Sequence, residues 1–291
     1  MKTLPLLIAL SLAPLVCRAE GPARPPAPKK SGSSLWHESI PTFSWPEGVA
    51  TVSAGALTAV LALRPPPEQA RWRDGILFDG AVRRGLRLES ASDRQLARRV
   101  GDVTYYAAPL LPLIVDPLLA ALAARGDGRA ALNLELVGFE AFSYAGLLSF
   151  VSTGISVRER PDSTECYRQH PDGAGCEFDT EAFWSGHTSI AAASAGLVCA
   201  SHQYMPLWGS PAADVSACAL AATGALVTGV TRLAADRHYA TDVIMGLGVG
   251  FGFGYGVPVL LHYARRKPGV TVTVTPSAAG SGATFNLAGL F

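Results

Sequence analysis

Apolar residues fall in long blocks along this chain, and the polar residues between them are concentrated in a few stretches. Residues 4–16 form a short apolar run broken by two prolines, and longer blocks follow at 47–63, 103–123, 130–156, 186–203, 213–234 and 240–263. Each long block reads as an apolar helix, so the pattern predicts an all-α bundle of about six apolar helices. Arg64-Pro65-Pro66-Pro67 ends the first, and Pro109, Pro112 and Pro117 should kink the second. Arg125-Gly126-Asp127-Gly128 is a turn, and the third helix carries Glu135 and Glu140, expected near a helix end or in a buried polar contact. Ala, Gly and Ser recur through the last three helices, and small residues let helices approach closely. The alternate glycines from Gly246 to Gly256 suggest a groove for a neighbouring helix. Arg265-Arg266-Lys267 suits the negative end of the last helix dipole. Beyond it, Val270 to Thr275 alternates Val and Thr, a turn follows, and Ala283 to Phe291 is again strand-like, which predicts a short C-terminal β-hairpin.

The polar stretches divide the rest. Residues 20–46 are rich in Pro, Ser, Gly and Lys and read as a flexible linker, with Trp36 and Trp45 able to rest on an apolar surface or a bilayer interface. Residues 68–100 hold eight arginines and five acids and read as short amphipathic helices with a solvated or headgroup-facing side. Residues 157–184 read as one long polar loop. The expected organisation is a signal peptide at 1–19, a linker at 20–46, a helical domain at 47–267 and a hairpin tail at 268–291.

Composition sharpens this reading. Hydrophobic residues make up 49% of the 291 and charged residues 16%, with a mean hydropathy of +0.25. A soluble domain usually carries about 25% charged residues, so a membrane protein or an unusually apolar helical core is expected. A net charge of +1 gives no polyanion-binding signature and argues against nucleic acid. Lys2, the apolar run and Cys17-Arg18-Ala19 have the form of an export signal cleaved after Ala19, with an uncleaved anchor as the alternative. Four cysteines remain after such cleavage, and an exported chain can pair them. Cys166 and Cys176 flank a short polar loop and should bond. Cys199 lies 12 residues after His187 and Cys218 14 before Arg232, at about 18–21 Å along neighbouring helices. They either form a second disulfide or are small buried hydrophobes.

The candidate chemistry lies in three polar stretches: Arg158-Glu159-Arg160-Pro161, Ser185-Gly186-His187, and Arg232 with His238 and Asp242. His238 and Asp242 are four apart, so on a helix they share a face. A carboxylate on one ring nitrogen would fix the tautomer and leave the other nitrogen free to attack. Arg232 supplies a positive fork for an oxyanion. In order and separation the stretches resemble the type-2 phosphatidic acid phosphatase and vanadium haloperoxidase superfamily, whose pattern is Lys-x6-Arg-Pro, Pro-Ser-Gly-His and Ser-Arg-x5-His-x3-Asp. Here they read Thr153…Arg160-Pro161, Trp184-Ser185-Gly186-His187 and Thr231-Arg232…His238…Asp242, and the resemblance spans roughly residues 100–265.

The resemblance implies that His238 is the nucleophile, Asp242 its orienting partner and His187 the general acid. It implies that Arg160, Arg232, Ser185 and the Gly186 amide hold the phosphoryl oxygens, with helix N-terminal amides nearby. Arg158 would be a third anion ligand, a partner for Glu159, or a substitute for the family lysine that Thr153 replaces. No cofactor is implied, and no spacing suggests a metal site; His170, His202 and His262 are expected at the surface or at helix ends. The expected activity is metal-independent hydrolysis of phosphomonoesters or pyrophosphates, often lipid-linked, through a phosphohistidine. Alternatives are a phosphate or lipid-phosphate binder, given Thr153, and a vanadate-dependent haloperoxidase. Six spans after a cleaved signal would put the site in the cytoplasm, away from a disulfide-forming compartment. Either the signal is not one, one helix does not span, or the bundle is a periplasmic globule. The expected location is extracytoplasmic, membrane-associated or periplasmic. The oligomeric state is left open.

Overall fold

The computed structural model describes residues 34–65, 67 and 69–264 in full, and the backbone of 271–276 and 283–288. The residues expected to form a signal peptide, the start of the expected linker and Arg265-Arg266-Lys267 lie outside the described residues. The helices are α1 (Trp45–Ala62), α2 (Asp79–Leu86), α3 (Ala91–Ala107), α4 (Gly128–Ser156), α5 (Pro161–Gln169), α6 (Gly186–Tyr204), α7 (Pro211–Ala234) and α8 (Ala240–Pro258). A π-type segment, Leu111–Ala123, follows α3, and a second, Val259–Tyr263, extends α8. Thr271–Pro276 and Ala283–Ala288 run antiparallel to each other.

Local signals account for the boundaries. Asp127 and Ser210 cap α4 and α7 through Ala130 N and Ala213 N. Proline occupies the first turns of α1, α5 and α7, where its missing N–H is harmless. The proline-rich block at 103–123 is not one kinked helix; α3 ends at Ala107 and the chain bends by 42° into the π-type segment.

α6 is the central element, buried almost continuously from Thr188 to His202. Its small side chains allow α8 to lie directly on it. A Cβ at Gly250 would sit 2.1 Å from the Ser189 carbonyl oxygen, and one at Gly254 2.0 Å from that of Ala193. Gly248, Gly252 and Gly256 face open space. The glycine run is therefore a groove made by every second glycine. One apolar cluster joins Trp36, Val137, Leu197, Met205 and Tyr263, and another joins Ala192, Val198, Ala221 and Ala225. Disulfides link Cys166 to Cys176 and Cys199 to Cys218.

Three described helices, α4, α7 and α8 with its extension, are long and apolar enough to cross a membrane, and the bent α3 pair would make a fourth. The six expected apolar blocks are all helical, but fewer of them are long and apolar enough to be spans. Val52, Val60, Leu226, Val230, Ile244 and Phe251 are exposed on α1, α7 and α8. A hydrophobic surface of this kind suits lipid contact and supports membrane association.

Several sequence expectations need correction. The described end of the supposed linker is packed: Trp36 is fully buried between His262 and Tyr263, and Ser34 and Leu35 bond Asp127. The 157–184 loop contains α5. His202 and His262 do lie in the last turns of their helices, but neither is at the surface: His262 is buried against Glu140 at 3.2 Å, and His202 between Asp116 and Asp214 at 3.1 and 2.6 Å. Periodicity does not report such pairs, because the partners come from distant helices.

Candidate active site

The turn between α7 and α8 delivers His238. It is held from outside by α2, where Arg83 donates to both oxygens of Asp236 at 2.7 Å and Arg87 adds a third contact at 2.7 Å. Asp236 takes a left-handed conformation with φ of 61°, and residues 235–240 are all buried. The cluster of arginines in 68–100 is thus partly structural and not only a solvated face.

The imidazole of His238 has its Nδ1 2.8 Å from the Ala182 carbonyl oxygen, a pairing that places the proton on Nδ1. Nε2 then carries the lone pair and lies 3.2 Å from Arg160 Nη1. Asp242 does not orient the ring as expected, since its Oδ2 is 3.8 Å from Nδ1. Instead Oδ2 accepts from Tyr239 N at 2.8 Å at the start of α8, and Oδ1 accepts from Arg158 at 2.5 Å. The i, i+4 pairing fails because His238 precedes the helix that begins at Ala240.

Arg160 stands at the N-cap of α5 in an extended conformation, ahead of Pro161. Its Nε is 2.7 Å from Asp179 Oδ2, at an angle that misses a hydrogen bond. Arg237 also clasps Asp179 at 2.8 Å and Asp162 at 2.6 Å. Arg232, in the last turn of α7, donates from Nη1 to Asp102 at 2.8 Å, while its buried Nε has no partner among the described residues. His187 opens α6, with Nε2 3.3 Å from the same Asp102 oxygen and its ring against Tyr105 at 4.3 Å between centroids.

Both histidines feel the same two guanidinium groups. Burial first, then Arg232 and Arg160, press the His187 pKa down to about 3, against a smaller opposing effect of Asp102. Burial, then Arg160, Arg232 and His187, hold His238 well below its ordinary range. Two neutral imidazoles and two guanidinium groups therefore share one neighbourhood. Such a pocket can bind an oxyanion, present a nucleophilic nitrogen to it and place a second imidazole at the leaving side.

Other expected ligands are not so placed. Arg158 is fully buried, donating to Asp79 at 2.8 Å, to Asp242 and to Thr241, with its guanidinium 4.0 Å from the Trp72 ring and 4.1 Å from that of Tyr239. It is a strut behind the pocket, not an anion ligand or a replacement for the missing lysine. Ser185 is fully buried as the N-cap of α6, bonding Thr188, and Gly186 is partly exposed at that helix start. The Thr153 hydroxyl is spent on the Phe150 carbonyl at 3.0 Å. Sequence reasoning missed Asp102, Tyr105, Asp179 and Arg237. Only Arg237 carried a signal, its adjacency to His238.

Residues 137–266 match the model of the PAP2 superfamily. This segment is similar to that superfamily over somewhat less than half of the chain. No curated protein and no solved structure matches the chain. The PAP2 segment contains Arg160, His187, Arg232, His238 and Asp242, whereas α3, which brings Asp102 and Tyr105, lies outside it. The PAP2 match supports a phosphatase-type hydrolase acting on a phosphorylated substrate, and with the apolar helices it supports membrane association.

Proposed function

We propose that the protein is a metal-independent phosphatase of phosphomonoesters or pyrophosphates, lipid-linked ones in particular, working through a phosphohistidine. The observation that carries this is the placement of His238. Its Nδ1 is tied to Ala182 and its Nε2 lone pair faces the Arg160 fork, with Arg232 and His187 near enough to act on its charge. In the first step the bound monoanion hands its proton to His187, Nε2 attacks phosphorus, the bond to the leaving oxygen breaks, and His187 passes the proton to that oxygen. In the second step His187 takes a proton from water, the hydroxide attacks phosphorus, and the P–N bond breaks to release phosphate. Arg160 and Arg232 hold the equatorial oxygens, on which charge accumulates.

An apolar cleft of about 260 Å³ supports a lipid-linked substrate. Ala107 and Leu111 line it with Leu220 and Gly224, which lie 12 and 8 residues before Arg232 on α7, or about 12–18 Å down that helix. Two disulfides support an oxidising, extracytoplasmic location. Reporter fusions within 68–100 and 162–180 test this; a cytoplasmic signal from both would refute it.

Purified protein should release phosphate with chelator present, faster from lipid phosphates than from soluble esters, and His238→Ala should abolish release. Hydrolysis persisting in that variant would refute the nucleophile. Thr153 favours one second reading, a phosphate binder with little turnover, because no cation stands at that position and its hydroxyl is already used. Binding without turnover in the wild type, with turnover gained by Thr153→Lys, would decide for the binder.

A further inference from the structure

We infer that Asp102 is an internal stand-in for a substrate oxygen: its carboxylate occupies the anion pocket of the resting protein and must leave when a phosphorylated substrate enters. The inference rests on the pocket's binding phosphate, as proposed above. One Asp102 oxygen lies 2.8 Å from Arg232 Nη1 and 3.3 Å from His187 Nε2. Those are the fork that a phosphoryl oxygen has to reach and the imidazole that has to meet the leaving oxygen. A carboxylate there occupies Arg232 Nη1 and His187 Nε2, the two atoms that the substrate would use.

The surroundings show which group gives way. The Arg232 side chain is 3% exposed and that of Asp102 is 37% exposed, so the arginine is fixed and the carboxylate has an outward path. The backbone beneath Asp102 is anchored. Gly101 packs so tightly on α7 that a Cβ there would lie 2.7 Å from Thr231 Oγ1, and Thr228 donates to Thr104 at 2.8 Å. Tyr105, on the next turn, backs the His187 ring at 4.3 Å. Displacement is therefore a side-chain rotation on a stationary helix. Arg98, one turn earlier on the same face of α3, offers the displaced carboxylate a partner at i, i−4.

A site whose competent form is only partly populated binds more weakly by that fraction. If Asp102 vacates the pocket about a tenth of the time, its removal tightens anion binding about tenfold. Inorganic phosphate binding, measured by titration calorimetry on folded full-length protein, tests this. Asp102→Asn should bind phosphate about tenfold or more tightly than wild type, while Asp102→Glu, which keeps the charge, should stay within about threefold of it. Unchanged or weaker phosphate binding by folded Asp102→Asn overturns the inference and leaves the phosphatase reading standing. No phosphate binding by wild type or variant overturns both. A second measurement needs no variant: carbodiimide-driven amidation of Asp102, followed by mass spectrometry, should rise when tungstate fills the pocket. Protection by tungstate, or no change, would overturn the inference.

Discussion

Replacing Arg158 by alanine separates a strut from a ligand. Arg158 is fully buried and joins two fully buried carboxylates, Asp79 and Asp242. Its loss leaves both charges without their cation. Asp79 keeps bonds from Ile76 N, Thr241 N and the Thr241 hydroxyl, whereas the described partner left to Asp242 is Tyr239 N. Removing one partner from a buried ion pair typically costs about 3–5 kcal/mol, and two stranded carboxylates argue for the upper end. For a chain of this size that is a fall in Tm of roughly 10–20 °C. Tryptophan-fluorescence melting of wild type and Arg158→Ala in the same buffer reads the shift directly. The pH dependence is a second check. In the wild type, burial alone would raise Asp79, yet its bonds, led by Arg158, hold it below its ordinary range. Its stabilising contribution is therefore complete above the unfolded pKa near 3.9 and is lost as pH falls through the lower folded value. In the variant the uncompensated carboxylates resist ionisation, so acid favours the folded form, and the gap between the two proteins should narrow below about pH 4. A variant that melts within about 2 °C of wild type yet no longer binds phosphate would refute the strut assignment and return Arg158 to the anion pocket.

Two further outcomes follow from the geometry. With His187 held at about 3 and His238 also low, both rings are neutral in the empty pocket at ordinary pH. The proton for the leaving oxygen then arrives with a monoester monoanion, so kcat/KM should fall tenfold per unit above about pH 6. A profile flat to pH 8 would refute this. The glycine groove predicts opposite signs two residues apart, on opposite faces of α8. Gly250→Ala should destabilise by about 3 kcal/mol or more, because its Cβ would meet the Ser189 carbonyl at 2.1 Å. Gly252→Ala, with nothing near it, should stabilise by up to about 1 kcal/mol. Equal melting shifts for the two would show that the glycines are not a packing face.

The sequence alone determined the helical class, most helix positions and the residue types of the site. These are local properties: apolar blocks, proline and glycine punctuation, and arginine and histidine at fixed spacing in one chain direction. It also determined that Cys166 and Cys176 are close enough to bond, since one short loop separates them. The tertiary structure decided which of those residues face the pocket. Arg158 and Arg160 are two apart and chemically identical, yet one is enclosed by Asp79, Asp242, Trp72 and Tyr239 while the other reaches His238 Nε2. Asp242 keeps its family spacing, but the ring of His238 leans on the Ala182 carbonyl, which no side-chain motif encodes. Asp102 lies 85 and 130 residues from the two groups it bridges. Spacing rules reach about one turn of helix; a contact across that separation exists only once α3, α6 and α7 have packed.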